Sequence, residues 1–252
     1  MNRLTAIIDE WQKTTIAKLL AAEYPRFYQF ISNRLFTKKF NGLPFTFLTI
    51  VFVANLLLFN EIAESIENAE WMLAIDNSFA KYLFNNRNTM LANSFFYFSK
   101  FGSYQFIIPF ALVVISLFIF QKRFIYVISL MIALAGTGLT SLLSKIYFHR
   151  VRPVDFSFYN ESSYSFPSGH AMYAVAFYGL LFYIIIMHNK KYQLLWSIVS
   201  IAFILLIGFS RLYLVVHFLS DVFAGYSLGF LWLLLSISIL EMKVKDYKKT
   251  DT

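Results

Sequence analysis

The sequence predicts an all-α integral membrane protein: a six-transmembrane-helix bundle with an N-terminal interfacial or cytoplasmic helical segment and outer-surface helices between the first two spans. Three observations predict it. The 252 residues are 58% hydrophobic and only 14% charged, whereas soluble domains run near 45–50% apolar and about 25% charged. Long stretches lack Asp, Glu, Lys and Arg altogether. The basic residues are spread unevenly around those stretches. With no cysteine, a disulfide scaffold, a thiolate nucleophile and a Cys-based zinc site are all excluded, and the apolar content excludes disorder.

Taken in order, residues 1–39 form an N-terminal cytoplasmic or interfacial extension. Asp9 and Glu10 stand where a signal peptide would need its apolar core. Leu4, Ile7, Ile8 and Trp11 share one helical face, as do Ile16, Leu19 and Leu20, which suits a helix lying in the headgroups. The charge-free spans are Phe40–Asn60, Phe101–Gln121, Phe124–Ser144, Ser162–Asn189, Tyr192–Ser210 and Val222–Leu240, the fourth starting near Pro167. A helix of about 20 residues crosses a hydrocarbon layer of about 30 Å. Residues 61–100 mix charge with Trp71, Phe79, Tyr82, Phe84, Phe95, Phe96 and Tyr97, and read as helices lying on the outer surface. The membrane domain is thus 40–241, and 242–252 is a short basic cytoplasmic tail.

Net charge is +8, which in a soluble protein would suggest nucleic acid. Here the charge reports topology. With the N-terminus inside, most of the 22 Lys and Arg residues fall on cytoplasmic segments, including Lys38, Lys39, Lys122, Arg123, Lys190, Lys191, Lys243 and Lys245. The positive-inside rule then places both termini in the cytoplasm, with no nucleic acid as partner; a compact chain without organelle signals and rich in Phe, Ile, Asn and Lys leads us to expect a bacterial inner membrane.

Ionisable residues at membrane depth are costly and mark function. They form three clusters: Lys145, Arg152 and Pro153, spaced K-x6-R-P; Pro167, Ser168, Gly169 and His170; and Ser210, Arg211, His217 and Asp221, spaced S-R-x5-H-x3-D. Alternation of the spans brings all three to one membrane face, and the charge bias makes that face the outer one. Lys145, Arg152 and Arg211 suit a tetrahedral oxyanion, the arginines as bidentate forks. Ser168 is a suitable N-cap, and Gly169 lets backbone N–H groups approach an anion. The ligand these residues predict is a phosphate. His217 and Asp221 are one helical turn apart, so the carboxylate can hold Nδ1–H and leave Nε2 as nucleophile. His170 can donate a proton to the leaving oxygen and then activate water. Three cations already neutralise the phosphoryl group, so no metal and no cofactor is expected.

These three segments, in this order, resemble the signature of the type 2 phosphatidic acid phosphatase superfamily, membrane lipid phosphatases related to vanadium haloperoxidases. Every fixed position matches from Lys145 to Asp221. The resemblance implies that His217 forms a phosphohistidine, Asp221 orients it, and His170 is general acid and then base. It implies that Lys145, Arg152, Ser168, Gly169 and Arg211 hold the phosphate without a metal. The expected activity is hydrolysis of a lipid phosphomonoester or diphosphate at the outer face, with undecaprenyl diphosphate, phosphatidylglycerol phosphate, phosphatidate or lipid A phosphate as substrate. Two other classes stand beside it: a lipid phosphotransferase using the same site, and a catalytically silent lipid-phosphate binding or transport protein.

Other features read more plainly. His149 and Arg150 match no fixed position and read as interfacial anchors. His188 lies at the inner face and is given no role. Gly225, Gly229, Gly136 and Gly138 suit close helix packing. Phe156, Phe158, Tyr159, Tyr164 and Phe166 are expected at the headgroups, flanking the entry for a lipid tail.

Overall fold

The structure, a computed structural model, describes residues 14–25, 28 and 43–250. The regular elements among the described residues are all helical. Residues up to Ala54 and those from Asn55 onward form two separate units. The first contains α1 (Thr15–Glu23), which falls within the expected N-terminal helical segment. The readings placed on Leu4, Ile7, Ile8 and Trp11, and on the side chains of Ile16 and Leu20, lie outside the described residues.

The remaining helices are α2 (Leu43–Asn68), α3 (Glu70–Asn85), α4 (Thr89–Ser99), α5 (Tyr104–Phe120), α6 (Phe124–Phe148), α7 (Gly169–His188), α8 (Gln193–Tyr213) and α9 (Leu219–Thr250). Among the described residues, five membrane-capable segments stand on length and apolarity alone: Thr46–Ile66, Phe124–Phe148, Gly169–His188, Lys190–Tyr213 and Leu219–Glu241. A sixth arises if Thr89–Gly102 and Tyr104–Phe120, bent by 45° across Ser103, count as one span. Counted so, that span begins at Thr89, inside the segment read as lying on the outer surface. Asn88 caps α4 by accepting from Leu91 N–H at 3.1 Å, and Phe95, Phe96 and Phe98 supply apolar mass that polar residues elsewhere in 61–100 obscure. The last span also starts earlier than the charge-free stretch suggested, which puts Asp221 in the first turn of α9.

Packing is tightest where glycines let helices touch. A Cβ on Gly136 would sit 2.2 Å from the Trp232 ring, and the Trp232 indole donates to Thr140 Oγ1 at 2.9 Å, locking α6 to α9. A Cβ on Gly225 would lie 2.6 Å from the Ser168 carbonyl, and one on Gly229 2.5 Å from that of Met172. The start of α7 is therefore pressed onto α9, which fixes the Ser168–His170 segment relative to Asp221. The expectation of packing glycines holds.

The connection between α6 and α7 has no regular structure, yet it is firmly tied. Ser165 N–H donates to Arg150 O at 2.8 Å, Phe158 N–H to Leu214 O at 2.9 Å, and Ser168 N–H to Asp221 O at 3.0 Å. Four of its five aromatics, Phe156, Phe158, Tyr159 and Phe166, are buried or half-buried. Phe156 packs on Phe84 with ring centroids 5.3 Å apart, and Tyr159 on Phe96 at 5.1 Å. Phe166 is fully buried between Phe59 and Phe148, leaving Tyr164 as the exposed ring of the five. Of these rings, Tyr159 lies against the buried charges, with the Arg211 guanidinium 5.7 Å from its centroid.

Candidate active site

The end of α6, the start of α7, the end of α8 and the start of α9 meet at one end of the bundle, as the alternation of spans requires. Between α8 and α9 the chain makes a compact turn. Leu214 N–H donates to Ser210 O at 3.0 Å, Val215 N–H to Leu212 O at 2.8 Å and Val216 N–H to Arg211 O at 3.2 Å. Val215 has φ 50°, a left-handed conformation that is strained for a β-branched residue. The turn reverses the chain in few residues and brings His217 back beside Arg211.

His217 is buried and doubly engaged. Its Nδ1 lies 3.4 Å from Asp221 Oδ2, and its Nε2 lies 3.1 Å from Arg152 Nη1. A guanidinium can only donate, so Nε2 must accept, and the proton of the neutral ring belongs on Nδ1, facing the carboxylate. Burial and the nearby Arg152 and Arg211 charges hold the imidazole well below its ordinary pKa. His217 is neutral at pH 7, with its lone pair on the atom facing the cations. Asp221 Oδ2 also accepts from Phe218 N–H at 2.9 Å.

The cations surround a carboxylate that sequence reasoning overlooked. Glu161 Oε2 is 2.9 Å from Arg152 Nη2, and Glu161 Oε1 pairs with Arg211 Nη2 and accepts from Tyr159 OH at 3.0 Å. Burial alone would raise the Glu161 pKa, but Arg211 and Arg152 outweigh it and bring the carboxyl down to about 2. Lys145 Nζ and Arg152 Nη2 both donate to Ser163 Oγ at 3.0 Å. Ser168 occupies the N-cap position of α7, but its side chain makes no capping bond. Ser168 Oγ and Arg211 Nε are buried donors without a hydrogen-bond partner among the described residues, a costly state unless a ligand answers them. Gly169 stands beside Ser168 at the start of α7, where a Cβ would come within 3.4 Å of Ser141 Oγ.

His170 lines a polar cavity of about 630 Å³ together with Ser99, Lys100, Tyr159, Glu161 and Ser163. It lies within electrostatic reach of Arg211, His217, Arg152 and Lys145. All the residues singled out from the three motifs are therefore brought together: Lys145, Arg152, Ser168, Gly169, His170, Arg211, His217 and Asp221. The arrangement can bind a multiply charged anion, present an unprotonated imidazole nitrogen to it, and place a second imidazole at the cavity.

Arg150 corrects its reading as an interfacial anchor. Its side chain is 8% exposed and bridges two buried carboxylates, Asp76 at 2.7 Å and Asp221 at 2.5 Å. Asp76, from α3, is 1% exposed and also accepts from Ser220 N–H at 3.0 Å. Arg150, Asp76 and Glu161 carried no spacing signal. The one available cue was chemical: two motifs rich in cations need acids nearby. His149, in contrast, is exposed, with φ 47° at the end of α6, which suits an anchor.

Comparison with known proteins gives the family and the fold. A model of the PAP2 superfamily matches residues 124–245. Phosphatidylglycerophosphatase B of Bacillus subtilis is 32% identical over 155 residues, 59% of this chain and 74% of that protein. The crystal structure of a transmembrane PAP2-type phosphatidylglycerolphosphate phosphatase from B. subtilis superposes with a TM-score of 0.69 at 29% identity, covering 78% of this chain and 96% of that one. The crystal structure of Aquifex aeolicus LpxE gives a TM-score of 0.53 at 25% identity, covering 64% and 94% of the two chains.

Proposed function

The chain belongs to the PAP2 superfamily of membrane lipid phosphatases, and on that premise we propose that it removes a phosphate from a membrane lipid through a phosphohistidine on His217, at the outer face of a bacterial inner membrane. The observation that carries the reading is the Glu161 carboxylate, an anion held by Arg152 and Arg211 beside His217 Nε2. A substrate phosphate has the same charge sign and offers more oxygens. It displaces Glu161, recruits Lys145 and the unpartnered Ser168 Oγ and Arg211 Nε, and draws Arg152 away from Nε2.

With the phosphate seated, His217 Nε2 attacks phosphorus in line with the leaving lipid oxygen. Asp221 holds Nδ1–H and stabilises the positive charge that grows on the ring. His170 gives its proton to the departing oxygen, then takes one from a water that cleaves the N–P bond. Lys145, Arg152 and Arg211 neutralise the equatorial oxygens, the largest electrostatic contribution to such a transfer. The reaction needs no metal, so activity is retained in EDTA.

A second cavity of about 720 Å³, whose lining includes many apolar side chains such as Leu58, Phe182, Ile201 and Leu233, supports a long-chain substrate. The B. subtilis relatives favour phosphatidylglycerol phosphate, and a diphosphate such as undecaprenyl diphosphate meets the same charge demands. The test is phosphate release by purified protein from a panel of lipid phosphates and diphosphates, with His217→Ala as blank. Release confined to the wild type is expected. Transfer of the phosphoryl group to a lipid acceptor without free phosphate would instead favour a phosphotransferase.

A further inference from the structure

We infer that Arg150, anchored by Asp76, is a positioning residue for the nucleophile: it clamps one oxygen of Asp221 so that the other is presented to the His217 imidazole. The inference rests on the phosphohistidine reading above. Arg150 donates through Nη1 to Asp221 Oδ1 at 2.5 Å and to Ser220 Oγ at 2.8 Å, and through Nη2 to Asp76 Oδ2 at 2.7 Å. Asp76 in turn accepts from Ser220 N–H at 3.0 Å and from Ser220 Oγ at 2.5 Å. The guanidinium lies over the Phe218 ring, 4.5 Å from its centroid. Its fork is therefore fixed on three sides.

Division of labour on Asp221 follows from these contacts. Oδ1 is held by Arg150, whereas Oδ2 takes the Phe218 N–H and faces His217 Nδ1 at 3.4 Å. Without the clamp, the carboxylate could rotate about its terminal torsion, which is soft, and the 3.4 Å contact to the ring has little to hold it. Charge points the same way. Asp76, Arg150 and Asp221 carry one positive and two negative charges when ionised, and a positive charge on His217 completes the balance. The chain Asp76–Arg150–Asp221–His217 thus favours the charge that develops on the ring during transfer. The same four groups also strap α3 to the start of α9, so a structural role must be separated from a positioning one.

The experiment measures steady-state kinetics on a lipid phosphate for Arg150→Met, Arg150→Lys, Asp76→Asn, the Arg150→Met/Asp76→Asn pair and each Arg150 change in an Asp221→Asn background, with thermal stability in detergent alongside. Arg150→Met is expected to lower kcat about tenfold to hundredfold with little change in KM, because the clamp touches the nucleophile's partner and not the substrate. Arg150→Lys keeps the charge but not the fork and should recover part of that loss. Adding Asp76→Asn to Arg150→Met removes the unpaired buried acid and restores stability without restoring kcat. In the Asp221→Asn background, Arg150→Met should cost almost nothing more. The inference is overturned if the pair restores kcat along with stability, if kcat in Arg150→Met stays within about threefold of wild type, or if its loss multiplies with that of Asp221→Asn. Any of these leaves the proposed function standing when the wild type turns over; a wild type that releases no phosphate removes both.

Discussion

The two ends of the bundle each bring an arginine against a histidine, and only one of them forms a site. At the end away from the three motifs, Arg123 Nη1 lies 3.4 Å from His188 Nε2 on an exposed surface, with Lys122, Lys190 and Lys191 nearby in sequence. At the other end, Arg152 Nη1 lies 3.1 Å from His217 Nε2 in a buried pocket. The difference is in what surrounds the pair. His188 Nδ1 faces the Ile184 carbonyl of its own helix at 2.8 Å. His217 Nδ1 faces a carboxylate that is itself clamped, and the Arg152 fork continues into Glu161 and Ser163. Exposed charges are solvated by water and need little from one another; buried ones must be paired or hydrogen-bonded. That demand fixes the atoms of the second cluster, and leaves the first free to be solvated.

This contrast can be broken from its strongest side first. His217→Ala should abolish phosphate release, since among the described residues no other imidazole faces both the clamped carboxylate and the cations; measurable turnover in that variant would make the buried pair no more catalytic than the exposed one. His170→Ala should lower kcat by roughly 10²–10⁴, the range of general acid–base catalysis, and the loss should shrink for an ester whose leaving group needs no proton. An equal loss on both esters would deny His170 the acid's role.

Glu161→Gln should tighten binding of orthovanadate, a mimic of five-coordinate phosphorus, by about tenfold, because one cation pairing no longer has to be broken. Weaker vanadate inhibition would show that Glu161 supports the anion site instead of occupying it. The same variant carries a pH signature. A folded carboxyl at about 2 against an ordinary 4.5 contributes stability that is complete above 4.5 and lost as the pH falls through 2. The Tm of the wild type should therefore fall more steeply across that window than that of Glu161→Gln. Finally, His188→Ala at the opposite end of the bundle should leave kcat within about twofold, the scatter expected of a surface change. A large loss there would erase the distinction between the ends.

Much of this was legible in the sequence because membrane depth makes charge rare. Lys145, Arg152, Arg211, His217 and Asp221 stand out against long apolar helices, and the alternation of spans brings them to one end without any coordinates. His170 follows from its place at the start of a span. Less legible were groups whose meaning depends on tertiary contacts. Arg150 sits two residues from Arg152 and reads as one more interfacial cation until Asp76, far away in sequence, is seen to meet it. Glu161 lies in an irregular connection whose path no periodicity reports. The 45° bend at Ser103 was hidden for a related reason: no charge or periodicity signal reports how α4 joins α5.

The account turns on covalent chemistry at a single nitrogen. The most direct measurement is rapid quenching of the His170→Ala variant with a ³²P-labelled phosphate ester bearing a leaving group that needs no proton, followed by peptide mapping. Acid-labile, alkali-stable label on the peptide containing His217, absent from a His217→Ala control, is the predicted result. Turnover without label on that peptide, or label on any other side chain, would contradict it.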